Sequence, residues 1–284
     1  RTQAWLRTLA PSVRKGDVDA FQKQMPRLLR DFEQIPLDVA PRPRVAVVGE
    51  ILLTYHEDAN KHIVSQIRQE GGEPLLPDLT NFMLYCLMDS IYDWRAPGGA
   101  TLAALGSALA IRRVEKLRRG PRALLASSPL ADKIMPVAHI DGLAQLGEQA
   151  LSLGNAAGEG WLLPAEMLEF MHHGVNNVLC LQPFGCLPNH VVGRGSFKTV
   201  RRLHEEANIM AIDYDPGSSE ANQLNRIRLF MALAKERRET QEAPQPAASP
   251  VARTRPVAER RAVARRTLSA AISLLPQLAG LLPG

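Results

Sequence analysis

The amino-acid sequence predicts an α/β protein with open parallel sheets flanked by helices, a helical middle segment and a disordered, basic C-terminal tail. Three observations predict it. Arg44-Val-Ala-Val-Val-Gly49 is a short apolar run closed by glycine, the pattern of a strand buried on both faces. Between 154 and 238, helical and strand-like segments alternate, which calls for parallel strands covered by helices. After about Arg238, periodicity stops and Pro, Ala and Arg take over.

Taken in order, residues 1–40 form a helical lead-in. Leu6, Leu9, Val13, Phe21, Met25, Leu28 and Leu29 recur at helical spacing, and Pro11 and Gly16 divide them into two short helices. Ile35–Arg44 holds three prolines and is expected to be extended. Residues 41–153 form a first α/β unit with a helical insertion. The strand at Arg44–Gly49 leads through a loop at Glu50–Thr54 to a helix over Asp58–Glu70, and Gly71-Gly72 stops that helix before a strand at Glu73–Pro77. Strand, helix and strand in so short a span make a right-handed βαβ unit. Helices are then expected over Thr80–Ser90, Ala100–Arg118 and Ala131–Leu153, punctuated by Gly98-Gly99 and Gly120-Pro121.

Residues 154–238 form a second α/β unit. Pro164 sits in the first turn of a helix ending at His173, where its missing N–H costs nothing. A strand over Val175–Leu181, a helix over Ser196–Glu206 with Ser196 as N-cap, a strand over Ile209–Ile212 and an amphipathic helix over Ser219–Lys235 follow. The tail, 239–284, ends in an apolar stretch, Leu268–Leu282, too short and too broken by Pro276 to span a membrane.

Composition excludes some functions. The net charge of +5 is concentrated after residue 240, where six arginines oppose Glu242 and Glu259, so the body before it is close to neutral. That is not the footprint of a nucleic-acid-binding domain. Three cysteines cannot all pair and no signal peptide opens the chain, so a cytoplasmic protein with reduced thiols is expected. The chain starts with Arg1 and enters a helical pattern at once, which reads as a piece of something longer.

The segment richest in chemistry is Cys180-Leu-Gln-Pro-Phe-Gly-Cys186-Leu-Pro-Asn-His190. Cys180 is expected to close a strand and Cys186 to follow in a loop stiffened by Pro183 and Pro188. Both thiols then lie at the carboxyl edge of a parallel sheet, where ligands gather. Two thiolates there suit a soft metal or an iron–sulfur cluster. The alternative, a core Cys180 and a packed loop Cys186, stays open. Cys86 falls in the apolar stretch Phe82-Met-Leu-Tyr-Cys86 and is expected in the core. A [4Fe–4S] cluster takes four thiolates, so further ligands must come from outside this chain.

Other segments carry weaker signals. Gly158-Glu-Gly160 could face an anion with its backbone N–H groups or simply make a tight connection. Gly193-Arg-Gly195-Ser-Phe-Lys198 lacks phosphate-loop spacing. His56, Glu57, Asp58 and His62 have metal-binding composition but also suit a polar helix start. His172 and His173 are expected at a solvated helix end, Asp213 and Asp215 at a cap, and Arg226 and Arg228 on a solvated helix face.

Five blocks together carry a resemblance. They are Val48-Gly-Glu-Ile51 with His56 and Asn60; Pro74-Leu-Leu-Pro-Asp-Leu79; Leu153-Gly-Asn-Ala-Ala-Gly-Glu-Gly-Trp161; the segment from Gly174 through Cys180 and Cys186 to His190; and the run from Ala211 to Ile227. The series resembles the C-terminal region of the large activases of 2-hydroxyacyl-CoA dehydratases, a region related to the dehydratase component itself. The resemblance covers roughly residues 40–235. It implies ATPase domains upstream and a dehydratase-like part whose thiolates, Cys180 and Cys186 among them, hold an iron–sulfur centre. It implies ATP-driven delivery of a low-potential electron to an acyl-CoA dehydratase. No phosphate-binding ATPase motif occurs in this chain, so its partners are expected to be an ATPase subunit or missing ATPase domains and the dehydratase, with a homodimer left open.

Three functions follow as expectations: an iron–sulfur electron-transfer part of such an activator, a non-catalytic α/β docking module of the same complex, and a zinc site using Cys180 and Cys186 with His190.

Overall fold

The sheet is built from the residues whose apolar runs announced it. The computed structural model describes residues 1–36, 40–95, 101–131, 133–215 and 217–242. Four strands, β1 (Arg44–Gly49), β2 (Glu73–Leu75), β3 (Asn177–Pro183) and β4 (Asn208–Tyr214), pair in the order β2-β1-β3-β4, all parallel. The strands of both α/β units therefore meet in one sheet rather than forming two. From β1 the chain moves to one side, to β2, and returns on the other side as β3. The strand order reverses between β1 and β3, and that reversal marks the crevice outside their carboxyl ends as the place for function.

Alternation along the strands builds two cores. Ala46, Val48, Val178 and Cys180 face the helices α8 (Leu162–His172) and α9 (Gly195–Leu203), meeting Leu163, Met167, Phe170 and Val200. Val45, Val47, Leu179, Leu181 and Ile212 face the other way, onto α4 (Ile63–Gln69) and α10 (Glu220–Glu242), through Ile63, Ile67, Ile227, Phe230 and Met231. With period 2 in a strand and helices on both faces, every second residue must be apolar on each side, which is why β1 has no polar position after Arg44.

A third core joins the helical middle to the sheet. The helices α5 (Leu79–Arg95), α6 (Thr101–Ala126) and α7 (Ile140–Ala150) pack Leu84, Tyr85, Ile111, Ile140 and Leu143 around Trp161 at the start of α8. Tyr85 meets Trp161 edge to face, with centroids 5.0 Å apart. The helix α6 runs straight through Gly120-Pro121 instead of ending at Arg118. Buried Glu115 accounts for this: it accepts from Arg118, Arg122 and the Ile140 backbone N–H, so ion pairs on both sides of Pro121 hold the turns together. Cys86, expected in the core, is exposed, because α5 turns Leu84, Tyr85 and Met88 inward and Cys86 outward.

At the amino end, α1 (Thr2–Lys15) contains Pro11 without a break and stops at Gly16, whose φ of +64° no L side chain adopts readily. The helix α2 (Val18–Glu33) follows, capped by Asp17. Two further expectations shift. Glu50–Thr54 is not a loop: Glu50 caps a short helix, α3 (Ile51–Tyr55), by accepting from the Leu53 N–H. The helix expected from Asp58 begins only at Ile63, because Lys61 and His62 take left-handed conformations locked by Asn60, which bridges Leu53 O and the Ile63 N–H.

Residues 1–236 form one compact unit; of residues 237–284 only the end of α10 is described. The expected disordered tail thus lies, beyond Glu242, outside the described residues. No helix among the described residues is long and apolar enough to cross a membrane.

Candidate functional site

The carboxyl ends of β1 and β3 are joined by one buried side chain, Glu159. It stands in the tight connection before α8, between Gly158 and Gly160. Gly160 has φ +41°, and a β-carbon there would lie 2.2 Å from Asn155 O, so only glycine lets the chain turn this sharply. The turn points Glu159 at both strand exits. Its Oε1 accepts the Ile51 N–H (3.1 Å) just after β1. Its Oε2 accepts Asn189 Nδ2 (2.7 Å) just after β3. The segment expected either to bind an anion or to make a connection therefore makes the connection, and its carboxylate is the part that matters.

Asn189 opens a π-helical turn, Asn189–Arg194, that runs directly into α9. Ser196 is consequently no N-cap; its hydroxyl donates back to Gly193 O at 2.8 Å. Such π-helical turns recur at functional sites. The same Asn189 Nδ2 that meets Glu159 also donates to Cys186 Sγ at 3.3 Å. Cys186 is half-buried on the turn after β3, flanked by the exposed side chains of Phe184, Leu187 and Val191.

Cys180 lies elsewhere. The strand β3 does not end at Leu181 but continues to Pro183, with Gln182 and Pro183 paired to Asp213 and Tyr214 of β4. Cys180 is thus inside the strand, on the core face, and fully buried. The π-helical turn lies on top of it: a β-carbon at Gly193 would be 2.9 Å from Leu163 Cδ2 and 3.4 Å from Cys180 Sγ. Burial, opposed by Arg194, pushes the Cys180 thiol up to about 12. The thiolate that metals and electrophiles require is disfavoured there.

The surrounding polar groups complete the edge. Gln182, also fully buried, donates to Asp213, which in turn accepts from Arg194. His190 turns Nδ1 toward Cys186 O at 3.0 Å and Nε2 toward Asp213 at 3.8 Å, so its ring addresses the backbone and a carboxylate, not the sulfur. Beneath the crevice, Glu166 and Glu169 are buried one turn apart on α8. Burial raises Glu169 to about 7 and, with the Glu169 charge adding to it, raises Glu166 well above the ordinary carboxyl range.

No family model, no curated protein and no solved structure matches the chain.

The remaining candidates are not brought into this edge. His62 stands 3.7 Å from both Glu57 and Asp58, all three well exposed, while His56 Nδ1 accepts from the Ala59 N–H. Asp215 caps the turn before α10 through the Gly217 N–H, and Arg226 reaches Ala211 O. His172 packs its ring on His204 at 5.1 Å, at the opposite end of α8. Among the described residues, no group of three or more His, Cys, Asp or Glu is placed to hold a metal ion.

The fit to an iron–sulfur cluster is accordingly partial. Cys186 suits one ligand position: its sulfur is at the edge and already accepts an amide N–H. Cys180, sealed under Gly193, does not suit a second in this arrangement. Glu159, Asn189 and Glu50, which organise the edge, carry no motif that the residue pattern would single out.

Proposed function

We propose that this chain is the dehydratase-related part of an ATP-dependent activator of 2-hydroxyacyl-CoA dehydratases, a cytoplasmic protein that offers a thiolate to an iron–sulfur centre completed by ligands from outside the chain. The observation that supports this most is the Cys186 thiol at the carboxyl edge of the parallel sheet, with the Asn189 amide directed at its sulfur. A cluster bound there would supply one low-potential electron at a time. The chain's own residues do the positioning. Glu159 ties the exits of β1 and β3 together, and the π-helical turn holds Asn189 against the sulfur. The ATP-hydrolysing part and the acyl-CoA-processing enzyme are separate components in this reading.

The reading is tested by supplying the chain, without oxygen, to an ATPase subunit and a 2-hydroxyacyl-CoA dehydratase and following ATP-dependent reduction of the dehydratase. Reduction that disappears in Cys186→Ser supports it. Reduction that is indifferent to the presence of the chain, or to that substitution, refutes it.

A second reading draws on one further observation. Phe184, Leu187 and Val191 are 72%, 71% and 58% exposed beside Cys186, an apolar collar on an otherwise polar edge. In that reading the edge is a docking module without cluster chemistry. A metal-free complex with either component that survives Cys186→Ser but is lost in the Phe184→Asp, Leu187→Asp double variant would favour it.

A further inference from the structure

The body up to residue 240 is neutral only in sum. Residues 1–33 and 101–126, which supply α1, α2 and α6, hold thirteen Lys and Arg against five Asp and Glu, a net +8. Residues 34–100 and 127–240 hold fifteen against twenty-two, a net −7. Positive charge is gathered on three helices.

Burial sorts the charges of α6. Its one acidic residue, Glu115, is buried and turned inward, where it takes Arg118 and Arg122; Arg118 also reaches Asp78. Arg112, Arg113, Lys116 and Arg119 are exposed, and no ion pair among the described residues engages any of them. Three and four positions apart, these cations repel one another along the helix. The neighbouring α2 adds to the field. It runs beside the second half of α6 in the same direction, with Gln22 donating to Leu117 O and Ser128 donating to Glu33, and it exposes Lys23 and Arg30.

The same face of α6 is apolar toward its amino end. Leu102 and Leu109 are 82% and 56% exposed. Leu109 stands seven residues after Leu102, and Arg113 and Lys116 follow four and seven residues after Leu109, so all four share one stripe. Apolar and basic halves therefore succeed each other along the axis, with Arg112 and Arg119 on one flank. A bilayer surface favours apolar and charged residues on opposite faces of a helix, not in succession along one face. A nucleic acid offers phosphates but no aliphatic surface to cover two leucines. A protein helix with aliphatic residues in one half and carboxylates in the other matches both halves of the stripe.

We propose that the outer stripe of α6, formed by Leu102, Leu109, Arg113 and Lys116, is the docking site for an acidic amphipathic helix of a partner protein. The aliphatic residues of that helix cover Leu102 and Leu109. Its carboxylates meet Arg113 and Lys116, with Arg112 and Arg119 at the rim. None of these residues belongs to the carboxyl edge of the sheet, so the inference does not rest on the activator reading.

The test uses the full chain and a fluorescently labelled synthetic helix of about eighteen residues, the span of α6 from Leu102 to Arg119, with leucines in one half and glutamates in the other. Anisotropy should show saturable binding that weakens at least about tenfold between about 50 and 300 mM salt. Arg113→Glu with Lys116→Glu should weaken it by more than about tenfold at an unchanged melting temperature. A peptide with lysines in place of the glutamates should bind that variant in preference to the unmodified chain. Leu102→Ser with Leu109→Ser should weaken the acidic peptide at least about fivefold. If the charge reversal unfolds the chain, Arg113→Gln with Lys116→Gln carries the same test. Absence of saturable binding, or binding indifferent to either pair of substitutions, would overturn the proposal. So would tighter binding of phosphatidylglycerol vesicles or of a short single-stranded RNA than of the peptide. Because the titration involves neither iron nor Cys186, its failure is distinct from failure of the activator reading.

Discussion

Glu159 and Asn189 are joined by a 2.7 Å hydrogen bond that ties the connection before α8 to the turn after β3. The two residues are 30 positions apart, and the other end of the same carboxylate holds Ile51, 108 positions away. One side chain thus sets the spacing of the two strand exits at which the sheet order reverses.

Removing that side chain should be costly. Glu159→Ala takes the acceptor from the half-buried Ile51 N–H and leaves the buried Asn189 amide only the weaker Cys186 sulfur; an unpaired buried donor costs about 1–3 kcal/mol. Urea unfolding should show a loss of at least about 2 kcal/mol. A change below about 0.5 kcal/mol would mean that water or a neighbour replaces the carboxylate and that the tie is incidental.

The close approach at Gly193 predicts an overpacking effect. Gly193→Ala places a methyl 2.9 Å from Leu163 Cδ2 and 3.4 Å from Cys180 Sγ. Crowding of this kind costs about 1–3 kcal/mol. Leu163→Ala should relieve part of it, so the double variant should be more stable than the sum of the singles predicts. Strict additivity in denaturant midpoints would contradict the contact.

Glu166 and Glu169 predict how stability depends on pH. In the unfolded chain both titrate near the ordinary value of 4.5, while burial in the folded chain holds Glu169 to about 7 and raises Glu166 well above the ordinary carboxyl range. As pH rises past 4.5, the unfolded chain gives up protons that the folded chain retains, so stability falls, through about 7 for Glu169. Glu169→Gln should therefore raise the melting temperature by several degrees at pH 8, on the order of 2 kcal/mol, and change little at pH 4. A melting temperature at pH 8 equal to or below that of the unmodified chain would show that the carboxylate is better accommodated than its burial implies.

The three thiols should react in a fixed order. With iodoacetamide at pH 8, Cys86 and Cys186 should be modified in the folded chain. Cys180 should react only after unfolding, since it is sealed and its thiol is pushed up to about 12. Peptide mapping by mass decides it, and early modification of Cys180 would mean that the π-helical turn opens readily.

The sequence made the sheet legible and the site only in part. The strand β1 falls on the predicted residues because its apolar run and closing glycine are local signals. The sequence pattern ends β3 at Leu181, because Gln182 and Pro183 look like loop residues. They stay in the ladder because β4 pairs with them, a long-range fact. That difference of two residues moves Cys180 from the strand end into the core. The break expected at Pro121 was overridden by ion pairs around Glu115, whose partners at 118, 122 and 140 show no joint pattern in the sequence. Glu159 carries no local signal for the same reason: its contacts lie 30 and 108 residues away. The placement of Cys186 in a turn after β3 is legible because a thiol between prolines after a strand is a local signal.

The most direct test of the central claim is the iron and acid-labile sulfide content of the chain isolated without oxygen, alone and after mixing with the kind of ATPase subunit proposed as its partner. Stoichiometric iron and sulfide that fall sharply in Cys186→Ser are the predicted result. A colourless complex, or iron and sulfide that survive Cys186→Ser, would contradict it.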